Sequence, residues 1–153
     1  MREIIFRGKR LDNGEWAEGF YISHLNACHY IIPFRTGGYE AMDNSFYVHK
    51  WFEVDPSTIG QYTGLKDKNG KRIFDGDILH IAKIADALGG YYRPPLDYHV
   101  NVVVKWDLCA WMWETLCEDK RYISFPDAWC LYECEIIGNA HDNQELLKEE
   151  AQP

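Results

Sequence analysis

The sequence predicts a mainly β chain, a β-rich barrel finished by one short C-terminal helix, and three observations carry that expectation. The pairs Asn13-Gly14 and Asn69-Gly70 supply hairpin turns, because both residue types accept positive φ. Several segments alternate apolar and polar residues at strand period. Segments of helical period are scarce, and only the C-terminal end holds one.

The elements follow in order. Residues 3–11 form the first expected strand, Asp12-Asn13-Gly14 its turn, and Glu15 to Ile22 the return, with Gly19 as a candidate bulge. Tyr30 to Phe34 is a short apolar run stopped by Pro33 and the Thr36-Gly37-Gly38 turn. Phe46, Val48, Phe52 and Val54 alternate along one further strand, with Tyr47, His49 and Trp51 on its other face. Asp55-Pro56-Ser57 ends it. Lys68-Asn69-Gly70 is the second hairpin turn, and Asp75-Gly76-Asp77 a tight bend before a strand from Ile78 to Ile84. The stretch from Ala85 to Tyr98 has no period and reads as a loop. Strands are expected at Val100 to Trp106, Ala110 to Cys117 and Leu131 to Ile137. Asp142 or Asn143 then caps a short helix carrying Leu146 and Leu147.

Length and composition bound the rest. A chain of 153 residues can bury one core, so a single domain over 1–153 is the expectation. Its apolar runs are too short to span a bilayer. The opening carries Glu3 and Arg7 where a signal peptide needs an apolar stretch, so a cytoplasmic location is expected. Acids and Lys/Arg balance over residues 1–106, so the whole net charge of −8 falls on residues 107–153. That third would repel DNA, which demands a basic face. Two basic clusters run the other way: Arg2, Arg7, Lys9 and Arg10, then Lys66, Lys68, Lys71 and Arg72. They read as solvated turn and edge-strand charges, with a phosphate-binding face as the alternative.

The cysteines Cys28, Cys109, Cys117, Cys130 and Cys134 include no Cys-x-x-Cys pair and read as reduced core residues. His24, Cys28 and His29 lack a fourth ligand nearby, so no metal site is expected. No Gly-x-Ser-x-Gly, His-Glu-x-x-His or phosphate-loop string occurs, which weighs against a cysteine or serine hydrolase, and no catalytic residue or cofactor is assigned.

The segment Asp55-Pro-Ser-Thr-Ile-Gly-Gln-Tyr-Thr-Gly-Leu-Lys-Asp-Lys-Asn-Gly-Lys-Arg-Ile-Phe-Asp-Gly-Asp-Ile-Leu79 resembles the signature of the YopX family of phage and prophage proteins. The opening Ile5-Phe-Arg-Gly-Lys with Asn13-Gly14 and Trp16, and the closing Glu135-Ile-Ile-Gly-Asn139 with Asn143 and Glu145-Leu-Leu147, resemble its flanking motifs. The resemblance implies a β-rich fold related to SH3-type barrels, in a bacterial host cell. It divides the chain into an N-terminal hairpin region (1–54), a barrel region (55–140) and an acidic helical tail (141–153). Within these motifs Gly60, Gly64, Asp67, Gly70, Gly76, Asp77, Gly138 and Asn139 are expected to serve structure, through turns and backbone hydrogen bonds.

Gln61, Tyr62 and Thr63 are polar without being turn formers, and Tyr91-Tyr92-Arg93 pairs aromatics with a cation in the long loop. These six residues are the candidate interaction surface. The aromatic content exceeds what one small barrel core needs, so a non-catalytic, homo-oligomeric interaction or assembly module with an unidentified protein partner is the leading expectation. Trp51, Trp111, Trp113 and Trp129 are its expected anchors. A nucleic-acid-binding barrel using the basic hairpins is the less favoured alternative, and no membrane partner is expected.

Overall fold

The structure is a computed structural model, and it describes residues 3–24, 28–34, 37–40, 45–82, 99–107, 110–115, 122–124 and 134–147. The chain is mainly β, and its backbone divides into two units, Met1–Tyr62 and Thr63–Pro153.

In the first unit the strands are β1 (Phe6–Lys9), β2 (Trp16–His24), β3 (Cys28–Pro33), β4 (Gly37–Glu40), β5 (Ser45–Val48) and β6 (Phe52–Glu53). A short 3-10 turn (Pro56–Thr58) follows, and β7 (Gly60–Lys66) begins here and continues into the second unit. Antiparallel pairing places them in the order β6-β3-β2-β1-β7, with β4 and β5 as a separate hairpin. The β1–β2 turn closes as the sequence predicts: Gly14 adopts φ 73° and donates its N–H to Arg10 O at 2.9 Å, while Arg10 N–H reaches Glu15 O. Ala17, Ile31 and Val54 form the buried cluster, and Phe6, Tyr21, Phe52 and Ile59 pack against it.

The second unit adds β8 (Arg72–Phe74), β9 (Asp77–Ala82), β10 (His99–Asp107), β11 (Ala110–Thr115), β12 (Tyr122–Ser124) and β13 (Cys134–Asn139). The last five make an antiparallel sheet in the order β12-β11-β10-β9-β13. Val102, Val103 and Val104 are buried in succession, as are Ile78 and Leu79, so this sheet is covered on both faces. Glu114 is buried with them and is held by the Lys105 ammonium, which donates to its Oε2.

Several expectations need correction. Among the described strands the five-stranded sheet is open, with β12 and β13 as edges and no pairing that closes a barrel. The single strand expected from Phe46 to Val54 is two, because β5 pairs with β4 whereas β6 pairs with β3, and His49 bends the chain between them. Gly19 makes no bulge: the β1–β2 and β2–β3 registers pass through it without a shift. The bulge lies in β13, between Ile136 and Gly138. The expected terminal helix is a run of turns over 141–147, where Leu146 N–H bonds Asn143 O and Leu147 N–H bonds Gln144 O. Two such bonds fall short of the nucleus a helix needs. The Ala85–Tyr98 loop lies outside the described residues. No helix among the described residues is long and apolar enough to cross a membrane.

Candidate functional site

Several side chains of the motif segments bond backbone. Asp55 precedes the 3-10 turn and accepts Ser57 N–H at 2.9 Å, while Thr58 Oγ1 accepts Lys9 N–H at 2.9 Å and donates to Asp55 O. The buried Asp67 accepts Asn69 and Lys71 N–H at Oδ1, both at 2.9 Å, and Ile136 N–H at Oδ2 at 3.2 Å. It therefore shapes the β7–β8 turn and covers the outer edge of β13 with one carboxylate. Asp77 Oδ2 accepts Phe74 N–H at 2.8 Å and closes the Asp75-Gly76 bend, where Gly76 takes φ 82°. Gly76 also bonds β10 and the end of β13, donating to Val104 O and accepting Ala140 N–H.

Gly138 and Asn139 fold the chain end back on itself. Asn139 Oδ1 accepts His141 and Asp142 N–H, and Asn143 Oδ1 accepts Asn139 N–H at 3.2 Å. A Cβ on Gly138 would stand 2.5 Å from that Asn143 oxygen. Asn143, expected as a helix cap, instead braces the bulge.

The candidate surface residues are dispersed. Tyr62 and Thr63 are buried, and Gln61 is half-buried opposite Phe6. Thr63 Oγ1 donates to Ile73 O at 2.9 Å and accepts Leu65 N–H at 3.2 Å, which links β7 to β8. Tyr91, Tyr92 and Arg93 lie outside the described residues, as do Trp129 and three cysteines, Cys109, Cys117 and Cys130. The side chains of Trp111 and Trp113 lie outside them too, although the two residues share one face of β11 by register. His24 and Cys28 are cross-strand partners, but His29 points to the other face and bonds the Tyr21 hydroxyl at 2.6 Å. No group of three or more His, Cys, Asp or Glu converges among the described residues.

A group of exposed residues that sequence reasoning missed lies on the first unit's sheet. Along β2 the small residues Ala17 and Gly19 face inward, so the larger Phe20 and Ile22 face solvent, at 54% and 50% exposure. Phe20 stands opposite Ile32 and Ile22 opposite Tyr30. Directly opposed residues share a face, so these four form one apolar block. Phe34 extends it, meeting the Phe20 ring edge-on at 5.5 Å. Trp51, an expected anchor, is 57% exposed just before β6. Ala17 and Gly19 at alternate positions were the signal: a strand that buries its small side chains displays its large ones.

The basic hairpin is occupied within its own unit. Arg7 and Lys9 lie over the Trp16 ring, 4.7 and 5.8 Å from its centroid. Arg10 covers Phe52 at 3.9 Å and bonds Asp12 and Glu15, which pulls the Asp12 carboxyl below its ordinary range. In the second cluster Lys68 pairs with Glu135. That hydrogen bond, the Lys68 charge and a contact from Asn69 hold the Glu135 carboxyl below the usual carboxylate range. Because folding lowers this pKa, the pair's contribution is present above the unfolded value and is lost as pH falls through the folded one. Lys68→Met is expected to raise the Glu135 pKa toward the ordinary carboxylate value, read by carboxyl-carbon NMR titration. An unchanged titration would place the cause elsewhere.

Comparison with known proteins adds two findings. A family model described as YopX protein matches residues 6–148. The crystal structure of protein EF1440 from Enterococcus faecalis shares the fold, with TM-score 0.65 and 23% identity over 97% of this chain and 100% of that one. No curated protein matches.

Proposed function

The chain belongs to the YopX family, and from that membership and the exposed sheet face we propose a non-catalytic, self-associating interaction module encoded by a phage or prophage and working in the bacterial cytoplasm. One observation carries the reading: Phe20, Ile22 and Phe34, with Ile32 and Tyr30 beside them, form a contiguous apolar block on β2 and β3. Contiguous apolar patches are uncommon on monomers and mark sites of association. Internal pairing of the basic hairpins supports protein rather than phosphate as the partner, since cations seated on Trp16 and Phe52 or paired with Asp12 and Glu135 have less charge to offer a nucleic acid. We also read the second unit as a relative of SH3-type barrels, supported by its five short antiparallel strands and the β13 bulge.

Light scattering on nuclease-treated protein at micromolar concentration tests the function. The wild type is expected above the 17.9 kDa monomer mass, and Phe20→Ser with Ile22→Ser at the monomer mass with an unchanged β spectrum. A wild-type monomer throughout, or assembly only on adding DNA or RNA, overturns the reading.

A further inference from the structure

The β2–β3 hairpin ends in two metal-ligating side chains. His24 and Cys28 are its last cross-strand pair. They share the face of Ile22 and Tyr30, because residues two apart on a strand lie on one side. His24 is exposed and Cys28 half-buried. Among the described residues the His24 imidazole has neither a hydrogen-bond nor an ion-pair partner. The Cys28 sulfur accepts the Tyr30 hydroxyl. That bond and the charge of the sulfur raise the Tyr30 pKa above its ordinary value, so the hydroxyl keeps the proton it donates. Glu53, opposite Tyr30 on β6, adds a carboxylate that favours a cation.

Resting on the self-association reading, we propose that His24 and Cys28 form half of a tetrahedral zinc site, completed by the same pair of a second copy. Directly opposed residues hold their Cβ atoms about 4.5–5.5 Å apart. A sulfur at about 2.3 Å and an imidazole nitrogen at about 2.0 Å can then meet at one ion. Zinc takes four ligands, and His29, the third residue of the sequence cluster, lies on the other face with Tyr21. The register shows how a second copy supplies the missing two. Phe20 opposes Ile32, Ile22 opposes Tyr30 and His24 opposes Cys28. A two-fold axis running along the strands, between β2 and β3, exchanges each residue with its cross-strand partner. It lays apolar row on apolar row and His24 over the second copy's Cys28, in the aligned class of sheet packing. Sheets so packed lie about 10 Å apart, which puts an ion midway at about 5 Å from each, within reach of a coordinating side chain. Arg7 and Glu18 stand opposite each other on β1 and β2, so together they bring no net charge to the contact. They belong to the other end of the face, about 20 Å from the ion along the strand. On coordination each Cys28 thiol gives its proton to solvent, so two thiolates balance the charge of the ion and two neutral imidazoles complete the set. The Tyr30 hydroxyl then donates to a metal-bound sulfur, an outer contact that fixes such a ligand.

Cobalt(II) absorption and sedimentation equilibrium test the site on the whole, reduced chain. The wild type is expected to bind one cobalt per two chains, with the intense visible bands of a tetrahedral ion and a thiolate-to-cobalt charge-transfer band. Zinc is expected to lower its dimer Kd by about tenfold or more relative to EDTA. Cys28→Ser is expected to lose both the charge-transfer band and the zinc response, and His24→Gln the zinc response. Each variant should keep the Kd of the EDTA-treated wild type. A charge-transfer band or zinc response that survives in Cys28→Ser, or a wild-type Kd equal in zinc and EDTA, overturns the metal site while self-association stands. A wild type that stays monomeric in both removes the reading beneath it. Should Cys28→Ser fail to fold, the exposed His24 decides: a full zinc response in His24→Gln overturns the site.

Discussion

Asp67→Ala, which truncates a buried turn carboxylate, is expected to destabilise the second unit by about 3–4 kcal/mol, out of the 5–15 kcal/mol that typical domains possess. The carboxylate accepts three backbone N–H groups, from Asn69, Lys71 and Ile136. Truncation leaves all three to find other acceptors at once. Two of them shape the β7–β8 turn, where Gly70 N–H also bonds Asp67 O. The third belongs to β13, whose outer edge also receives the Lys68 N–H on Cys134 O. Asp67→Asn separates the roles. It keeps one carbonyl for the turn donors but sets an amide NH2 against Ile136 N–H, so a smaller loss of about 1–2 kcal/mol is expected. Urea unfolding gives the stabilities, and hydrogen exchange at Ile136 reports the edge directly. An Asp67→Ala protein with wild-type midpoint and an equally protected Ile136 amide would refute the assignment.

Asp67 also illustrates what the sequence makes legible. Lys68-Asn69-Gly70 announces its turn locally, because φ and side-chain capping are decided within a few residues. The bond from Asp67 to Ile136 joins residues 69 positions apart and leaves no local trace. The same division runs through the fold. The hairpin at Asn13-Gly14 and the Asp75-Gly76-Asp77 bend were readable, whereas β4 and β7 were hidden by Gly37, Gly38, Gly60 and Gly64, which read as turn chemistry. Pairing with distant strands overrode that composition. The split of the expected strand between Val48 and Phe52 has the same origin, since period alone cannot say that each half pairs with a different neighbour. At the candidate site the failure was one of face. The run Trp16-Ala-Glu-Gly-Phe-Tyr-Ile22 is apolar at most positions, and only the small sizes of Ala17 and Gly19 distinguish the buried side from the displayed one.

That arrangement makes Gly19→Ala the most damaging substitution expected in the first unit. Gly19 sits in the middle of β2, opposite Phe6 on one side and Pro33 on the other. A Cβ there would stand 1.9 Å from Ile32 O, 2.7 Å from Ile32 C and 3.0 Å from Pro33 Cα. These are backbone atoms of a paired strand, so no side-chain rotation relieves the contact, and Pro33 has no N–H with which to rebuild the ladder. Overpacking commonly costs 1–3 kcal/mol, and a clash with backbone on this scale belongs at about 3 kcal/mol or above. Gly14→Ala is the control: it also loses a glycine, at φ 73°, but nothing lies within 4 Å of its Cβ. Only the left-handed backbone penalty applies there, about 1–2 kcal/mol. The measured order should therefore be Gly19→Ala well below Gly14→Ala in unfolding midpoint. Gly19 also separates Glu18 from Phe20, so forcing β2 away from β3 moves Phe20 off Ile32 and breaks the apolar block proposed above as the association face. Self-association should fall together with stability in Gly19→Ala, while Gly14→Ala stays associated. Equal stability of the two variants would show that β3 yields to the added methyl. Loss of association in Gly14→Ala alone would move the interface from the sheet face to the hairpin tip.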